Sequence, residues 1–369
     1  MKFVCNAMEL SDACQIVQRA TSSKTAIPTV EGILIIAEND SLTLTGYDLE
    51  MGITTVIPCN VMEEGRLVVN AHMFSETIRK LPSFPVKLDS DARHIASIEC
   101  GDFRTSIIGM SADDYPELPS ISGGYEAELD YSLLKDMIRK TIFSAAVKDA
   151  KVVHTGVKFE LEKNHIRLIA VDGVRLAIRN ETIAYDGEDL SFVVPAKTLS
   201  EVLKLLDEED NKVKIFVGKR HIIFKVGQFD IISRLLDGEF LNYKAAIPSV
   251  TKTVIKVKTG DFLDSLDRTS LIITDKLKSP IKCTFEDNSV KLFSNASIGA
   301  SSDKLSAEIE GEKCTVGFNN KYMIDVMRVC DTDEVRIMLN GPVAPILVVP
   351  VEGEEFIFLI LPVRLKNEN

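Results

Sequence analysis

The sequence predicts an α+β chain built from three similar units in tandem, and three observations carry that prediction. A strand-and-turn segment returns: LTLTGYDLEM (42–51) is followed by IRLIAVDGVRL (166–176) and VKLFSNASIGA (290–300). An amphipathic helical segment returns in step with it, as VNAHMFSETIRKL (69–81), VPAKTLSEVLKLL (194–206) and FNNKYMIDVMRVC (318–330). The chain has 369 residues, too many for one ordinary core and enough for three units of roughly 120.

Each unit opens with a helical candidate: ELSDACQIVQRA (9–20), YSLLKDMIRKTIFSAA (131–146) and DFLDSLDRTSLI (261–272). The strand segment follows. Leu42 and Leu44, Ile166 and Leu168, and Val290 and Leu292 alternate with polar neighbours, the period of a half-buried strand. Each strand breaks into a turn at Asp48, Asp172 and Ala296, which stand 124 residues apart each time. The later helix buries one stripe: Phe74, Ile78 and Leu81; Leu199, Leu203 and Leu206; Met323, Met327 and Cys330. SADDYPELP (111–119) and LDGEFLNYKAAIP (236–248) close two of the units on a proline. The turn-rich loop SISGGYE (120–126) reads as a linker, which sets the units at 1–124, 125–251 and 252–369.

Composition excludes several classes. The chain is 45% hydrophobic and 27% charged, as a globular protein is. No run of about 18 apolar residues suits a membrane span, and the start MKFVCNAMEL does not read as a secretory signal. The expected location is the cytoplasm. Seven scattered cysteines (Cys5, Cys14, Cys59, Cys100, Cys283, Cys314, Cys330) form no CxxC and read as reduced, mostly buried thiols. Five dispersed histidines show no metal-ligand spacing, so no metal is expected. Net charge is −12, which argues against nonspecific attraction to nucleic acid but not against one basic face.

One stretch, AVDGVRL (170–176), has three readings: a catalytic ion pair of Asp172 and Arg175, a phosphate clamp, or a turn between strands. Recurrence favours the turn, because Asp48 holds the same place with no arginine beside it. The repeated helix carries a different clue. Arg79, Lys204 and Arg328 are equivalent, and seven residues before them stand His72, Lys197 and Lys321. Residues seven apart share a helix face, so each unit presents a cationic pair suited either to an anionic partner or simply to solvent. No aromatic residues interleave these cations and no base-reading motif appears, so nucleic-acid contact would go to the backbone. Walker A, GxSxG and GxGxxG are absent. The chain does not read as an enzyme, and a protein-only scaffold is the alternative.

IPTVEGILI and LTGYDLEM in the first unit, FSAA, AVDGVRLAI and DGEFLNYKAAIP in the second, and GFNNKYMIDVM and ILPVRL in the third resemble the bacterial sliding clamp family, the beta subunit of DNA polymerase III. The likeness runs the length of the chain. It implies three DNA-clamp domains per protomer and a head-to-tail homodimer closed into a six-unit ring, with helices inside and sheets outside. By that resemblance Lys24, His72, Arg79, Lys148, Lys151, Lys197 and Lys204 face double-stranded DNA without reading its sequence. Val152 and Val153 occupy places where the family often carries aromatics that touch template DNA. A cleft for short extended peptides of the replicative polymerase, clamp loader and repair proteins would comprise His154, Val171, Gly173, Val174, Arg175, Leu176, Leu241, Ala246, Leu277, Asn319, Tyr322, Val343, Leu361, Pro362, Val363 and Arg364. His154 stands where an aliphatic is common and Val174 where a histidine is common, and the tail Lys366–Asn369 would lie at one side. Ring closure would use Ile107, Leu271 and Ile272. No cofactor is implied; loading belongs to a separate ATPase.

Overall fold

A computed structural model describes residues 1–22, 25–121, 123–206, 211–273 and 280–365. Lys24, Leu277 and the tail Lys366–Asn369 lie outside the described residues.

The repeats are visible as pairs of helices: α1 (Ala7–Val17) and α2 (Ala71–Arg79), α3 (Tyr131–Ile142) and α4 (Ala196–Leu205), α5 (Thr259–Ser270) and α6 (Asn320–Val329). Asparagine starts three of them. Asn6 accepts from the Met8 and Glu9 amides, Asn70 from Met73 and Asn319 from Lys321, at 2.8–3.3 Å. Each cap satisfies amides that the first helical turn leaves without an internal partner. The cap at Asn6 explains why α1 begins two residues before the predicted 9–20, and α1 ends in a 3-10 turn, Gln18–Ala20. The predicted stripes are inward: Phe74 and Ile78, Leu199 and Leu206, and Met323 and Met327 are buried, while Leu81 and Leu203 are half-buried.

The chain divides into two compact units, Met1–Ser132 with Ser200–Leu235, and Leu133–Leu199 with Leu236–Asn369. In the first, a five-stranded sheet runs in the order Asn60–Glu63, Lys2–Cys5, Val86–Ser90, Ile95–Cys100, Phe103–Ile108. Its eight-stranded sheet runs Tyr125–Asp130, Lys212–Val217, His221–Val226, Phe229–Arg234, Met51–Pro58, Ser41–Tyr47, Gly32–Glu38, Gly65–Asn70. The second unit holds a nine-stranded sheet: Leu190–Pro195, Gly156–Glu162, His165–Val171, Arg175–Thr182, Phe356–Ile360, Ile346–Pro350, Glu334–Leu339, Thr253–Lys258, Glu308–Gly311. Its four-stranded sheet runs Gly299–Ser306, Ser289–Ala296, Ile281–Glu286, Cys314–Phe318.

The compact units do not coincide with the sequence repeats, and strand pairing is the reason. Asp230 pairs with Thr54, and Arg175 with Ile360, so the last strands of one repeat zip onto the turn-bounded strand of the repeat before it. Backbone hydrogen bonding takes no notice of sequence similarity; it joins edges that would otherwise be left open.

In the first unit α1 packs on α2. A Cβ at Gly46 would stand 2.3 Å from the Val17 carbonyl oxygen, so only glycine lets the strand pass under the end of α1. In the second unit Phe262 and Leu266 of α5 and Met323 and Met327 of α6 share a core with Phe285, Phe318 and Phe358. Each such side chain contributes about 1.5–3 kcal/mol when fully buried. All seven cysteines carry free thiols, six of them buried. Burial pushes the Cys5 and Cys330 thiols up to about 12, so they stay protonated and unreactive near neutrality.

Candidate peptide cleft and basic helices

The turn at 172–175 is made by its aspartate. Asp172 Oδ1 accepts from the Val174 amide at 3.2 Å and the Arg175 amide at 3.0 Å, and the Asp172 amide donates to the Arg175 carbonyl at 3.3 Å. Gly173 takes φ +86°, a backbone region that costs glycine nothing. Arg175 then turns inward. Its Nε donates to Asp172 Oδ2 at 2.8 Å and its Nη1 to Asp325 Oδ2 of α6 at 2.7 Å. The guanidinium carbon lies 4.5 Å from the Tyr322 ring centre and 5.6 Å from that of Phe143. With its side chain 11% exposed, the arginine faces carboxylates and rings instead of an open site. The ion pair is an architectural tie, so neither the phosphate clamp nor a catalytic pair describes it.

The turn forms one wall of an apolar surface. The Leu361 amide donates to the Val174 carbonyl at 2.8 Å, and the Val363 amide to the Gly317 carbonyl at 2.8 Å. Val174, Leu241, Leu361 and Val363 are exposed, as are Gly173, Ala246 and Arg364. Pro362, Asn319 and Tyr322 are half-buried. Val343 is exposed in the turn before strand Ile346–Pro350. Val171 and Leu176 lie beneath, in a cluster with Ile169, Tyr243, Leu347 and Leu359. That cluster is roofed by the segment carrying Phe240, Tyr243 and Ile247. A polar anchor holds the roof: the Tyr243 hydroxyl donates to Glu160 Oε2 at 2.7 Å, and Lys158 and Arg167 reach the same carboxylate at 2.7 and 3.1 Å. Burial works against the Glu160 charge, but Lys158 and Tyr243 outweigh it and hold the carboxyl below its usual range. Burial and the bond to Glu160 push Tyr243 up to about 12. His154 is buried, meeting the Phe240 ring edge-on at 5.7 Å and Asp149 Oδ2 at 3.3 Å.

The repeated basic residues of the later helices are on the outside. His72, Arg79, Lys197, Lys204, Lys321 and Arg328 are exposed on α2, α4 and α6, opposite the buried stripes. Arg79 is tethered to Glu76 at 2.7 Å, Lys204 to Glu201 at 2.7 Å and Arg328 to Asp267 at 3.5 Å. Lys148 and Lys151 are exposed in the loop after α3, where Asp149 Oδ1 accepts from the Lys151 amide at 2.8 Å. Val152 beside them is exposed and Val153 is buried.

Two strand edges complete the picture. Phe103–Ile108 ends the five-stranded sheet and Gly299–Ser306 ends the four-stranded one. Strand alternation places Ile107 in its own sheet's core, 4% exposed, and turns Ile108 outward, 80% exposed. Leu271 is exposed at the end of α5 and Ile272 half-buried. Sequence reasoning missed Asp325, Phe143 and Ile108. A signal for the first existed: an acid recurs at Glu76, Glu201 and Asp325, three residues before the repeated cation. Among the described residues no cluster suited to a metal is present, and no helix is long and apolar enough to cross a membrane.

Comparison with known proteins gives matches along the whole chain. Models of the DNA polymerase III beta subunit match residues 1–119 (N-terminal domain), 128–242 (central domain) and 244–364 (C-terminal domain). The beta sliding clamp of Bacillus subtilis is 33% identical over 377 residues, spanning 99% of this chain and all of that one. That of Halalkalibacterium halodurans is 32% identical, spanning 94% and 95%. Among solved structures, a putative DNA polymerase III beta subunit from Eubacterium rectale superposes with a TM-score of 0.95 at 34% identity, covering 98% of this chain and 99% of that one. The Bacillus subtilis sliding clamp gives 0.96 at 32%, covering 99% and 100%.

Proposed function

The chain belongs to the DNA polymerase III beta subunit family, the non-catalytic bacterial sliding clamps, and from that premise we propose that it encircles duplex DNA as a homodimeric ring and tethers the replicative polymerase. The observation that carries the reading is the exposed cation pair repeated on α2, α4 and α6 in a chain of net charge −12. A protein that held DNA by affinity would need a strong basic field. A ring needs only weak backbone contacts, since topology prevents escape. The tethers to Glu76, Glu201 and Asp267 suit weak contact, because each cation trades one anion for another as phosphates pass. Lys148 and Lys151 add charge from the loop after α3.

Closure uses the two open sheet edges, Phe103–Ile108 of one protomer against Gly299–Ser306 of its partner, with Ile108 and Leu271 as apolar contacts. Ile107 supports that edge from within. Pairing the edges removes a liability that each would carry alone. Polymerase, clamp loader and repair proteins dock short peptides on the apolar surface formed by Val174, Leu241, Leu361 and Val363, over the floor of Val171 and Leu176. Val152, in place of an aromatic, makes the loop contact with DNA chiefly electrostatic.

The test joins mass and topology. Sedimentation over a dilution series should give a dimer, twice the 40.8 kDa chain. Protein loaded on nicked circular DNA should survive high salt and leave when the circle is cut. No retention on circular DNA, or a monomer at every concentration, would instead favour a scaffold that binds proteins alone, and salt-resistant binding to linear fragments would show affinity in place of topology.

A further inference from the structure

We infer that Asp325 is a positioning residue for the peptide cleft: by holding Arg175, it fixes the Val174 wall before any partner arrives. This rests on the cleft reading above. The wall is a four-residue turn with few packing contacts of its own, since Gly173 and Val174 are exposed and a Cβ at Gly173 would touch nothing within 4 Å. Such a turn is ordered by what its ends hold. One end is Asp172, which caps the turn internally. The other is Arg175, whose guanidinium reaches Asp325 on α6 and lies over Tyr322 of the same helix. Phe143, the second ring beside it, is itself set edge-on against Phe358 in the core at 5.7 Å. Arg175 thus ties the wall to a separate element, the helix α6. The Leu361 amide bonded to the Val174 carbonyl sets the exposed Leu361–Val363 segment against that fixed point.

The consequence is energetic. A peptide entering a mobile wall must order it, and that ordering subtracts from affinity; a wall held in advance leaves the contact energy intact. The planar guanidinium can serve two carboxylates and two ring faces at once, which a lysine ammonium cannot. Asp325 need not touch the peptide to matter.

Asp325→Asn, Asp325→Glu and Leu361→Asp variants of the full chain test this, with the replicative polymerase subunit of the same bacterium as the probe in surface plasmon resonance. Asp325→Asn should weaken polymerase binding about tenfold, mainly through faster dissociation, and Asp325→Glu should recover most of the loss. Hydrogen exchange should rise at the amides of 173–175 in the Asn variant and stay low along α6, with dimer mass and retention on circular DNA unchanged. Unaltered affinity in Asp325→Asn, while Leu361→Asp abolishes binding, overturns the positioning role and leaves the cleft standing. Full binding by Leu361→Asp removes the cleft reading itself. Loss of protection along α6 in the Asn variant assigns Asp325 to helix stability and also overturns the proposal.

Discussion

The turns Asp48–Met51 in the first unit and Asp172–Arg175 in the second are the same device put to different uses. In both, the aspartate Oδ1 accepts from the amides two and three residues on: Glu50 and Met51 at 3.0 and 2.7 Å, Val174 and Arg175 at 3.2 and 3.0 Å. In both, a following strand docks on the third residue, the Arg234 amide on the Glu50 carbonyl at 2.9 Å and the Leu361 amide on that of Val174 at 2.8 Å. The fourth residue differs. Met51 is buried in the core and holds nothing polar, whereas Arg175 reaches the acid of a neighbouring helix. The acid itself is repeated, as Glu201 and Asp325, 124 residues apart. In the first unit Glu201 is met by Arg19 of the 3-10 turn after α1, at a loose 3.9 Å, and in the second the position equivalent to Arg19 is Phe143. One repeat keeps its arginine at the helix end, the other moves it into the turn. A common backbone therefore tolerates relocating a charge, provided the carboxylate on the facing helix still finds one.

The largest effect should come from removing the relocated arginine. Arg175→Ala strands two mostly buried carboxylates and should cost about 2–3 kcal/mol, reduced from the fully buried case because Asp325 remains partly solvated. Arg19→Ala, at a looser and more exposed pair, should cost under about 1 kcal/mol. Hydrogen exchange along α6 and α4 measures each locally, and equal losses would break the comparison. Next, Asp172→Ala should cost about 2 kcal/mol, since it removes the acceptor that makes the turn and unpairs Arg175 as well; urea unfolding measures it, and a cost below about 0.5 kcal/mol would mean that the turn holds without its aspartate.

A smaller effect separates the second residues. Leu49 and Gly173 both sit at positive φ, +76° and +86°. Leu49→Gly should therefore stabilise the first unit by up to about 1 kcal/mol and Gly173→Ala destabilise the second by about as much. A Leu49→Gly variant that melts earlier would mean that the added freedom of the unfolded chain outweighs the relief of backbone strain.

The smallest effect is confined to the segments that Tyr115 and Tyr243 anchor. Tyr115 in the first unit donates to the Thr45 carbonyl at 3.1 Å, a bond that does not titrate, while Tyr243 in the second donates to Glu160. The Glu160 carboxyl is held below its usual range, so its contribution is complete above the ordinary glutamate value of 4.5 and is lost as pH falls through the lower folded value. Acidification below that point should raise exchange at 240–247 and leave 112–118 unaltered. Glu160→Gln should remove the pH response; a response that persists in it would assign the loosening to another group.

Much of this was legible from residues. The pattern Asp48, Asp172 and Ala296 located three strand ends, and the stripes beginning at Phe74, Leu199 and Met323 located three helices whose buried faces are as expected. Periodicity reports which face is apolar, and that is a local property. Ile107 and Ile108 show the limit. Two adjacent isoleucines on a strand look alike in sequence, and which one points inward is decided by register against Ala96 and Ile95.

The sequence by itself determined the repeat, the elements within each copy, the turn made by Asp172 and the outward cations, because each depends on residues within a few positions of one another. The tertiary structure alone decided where Arg175 points. Asp325 lies 150 residues downstream and Phe143 32 upstream, and although both fall at repeated positions, nothing local in the chain joins them to Arg175. They meet because the Phe356–Ile360 strand pairs with Arg175–Thr182, and that pairing is set by which sheet edges remain open once every local element has formed.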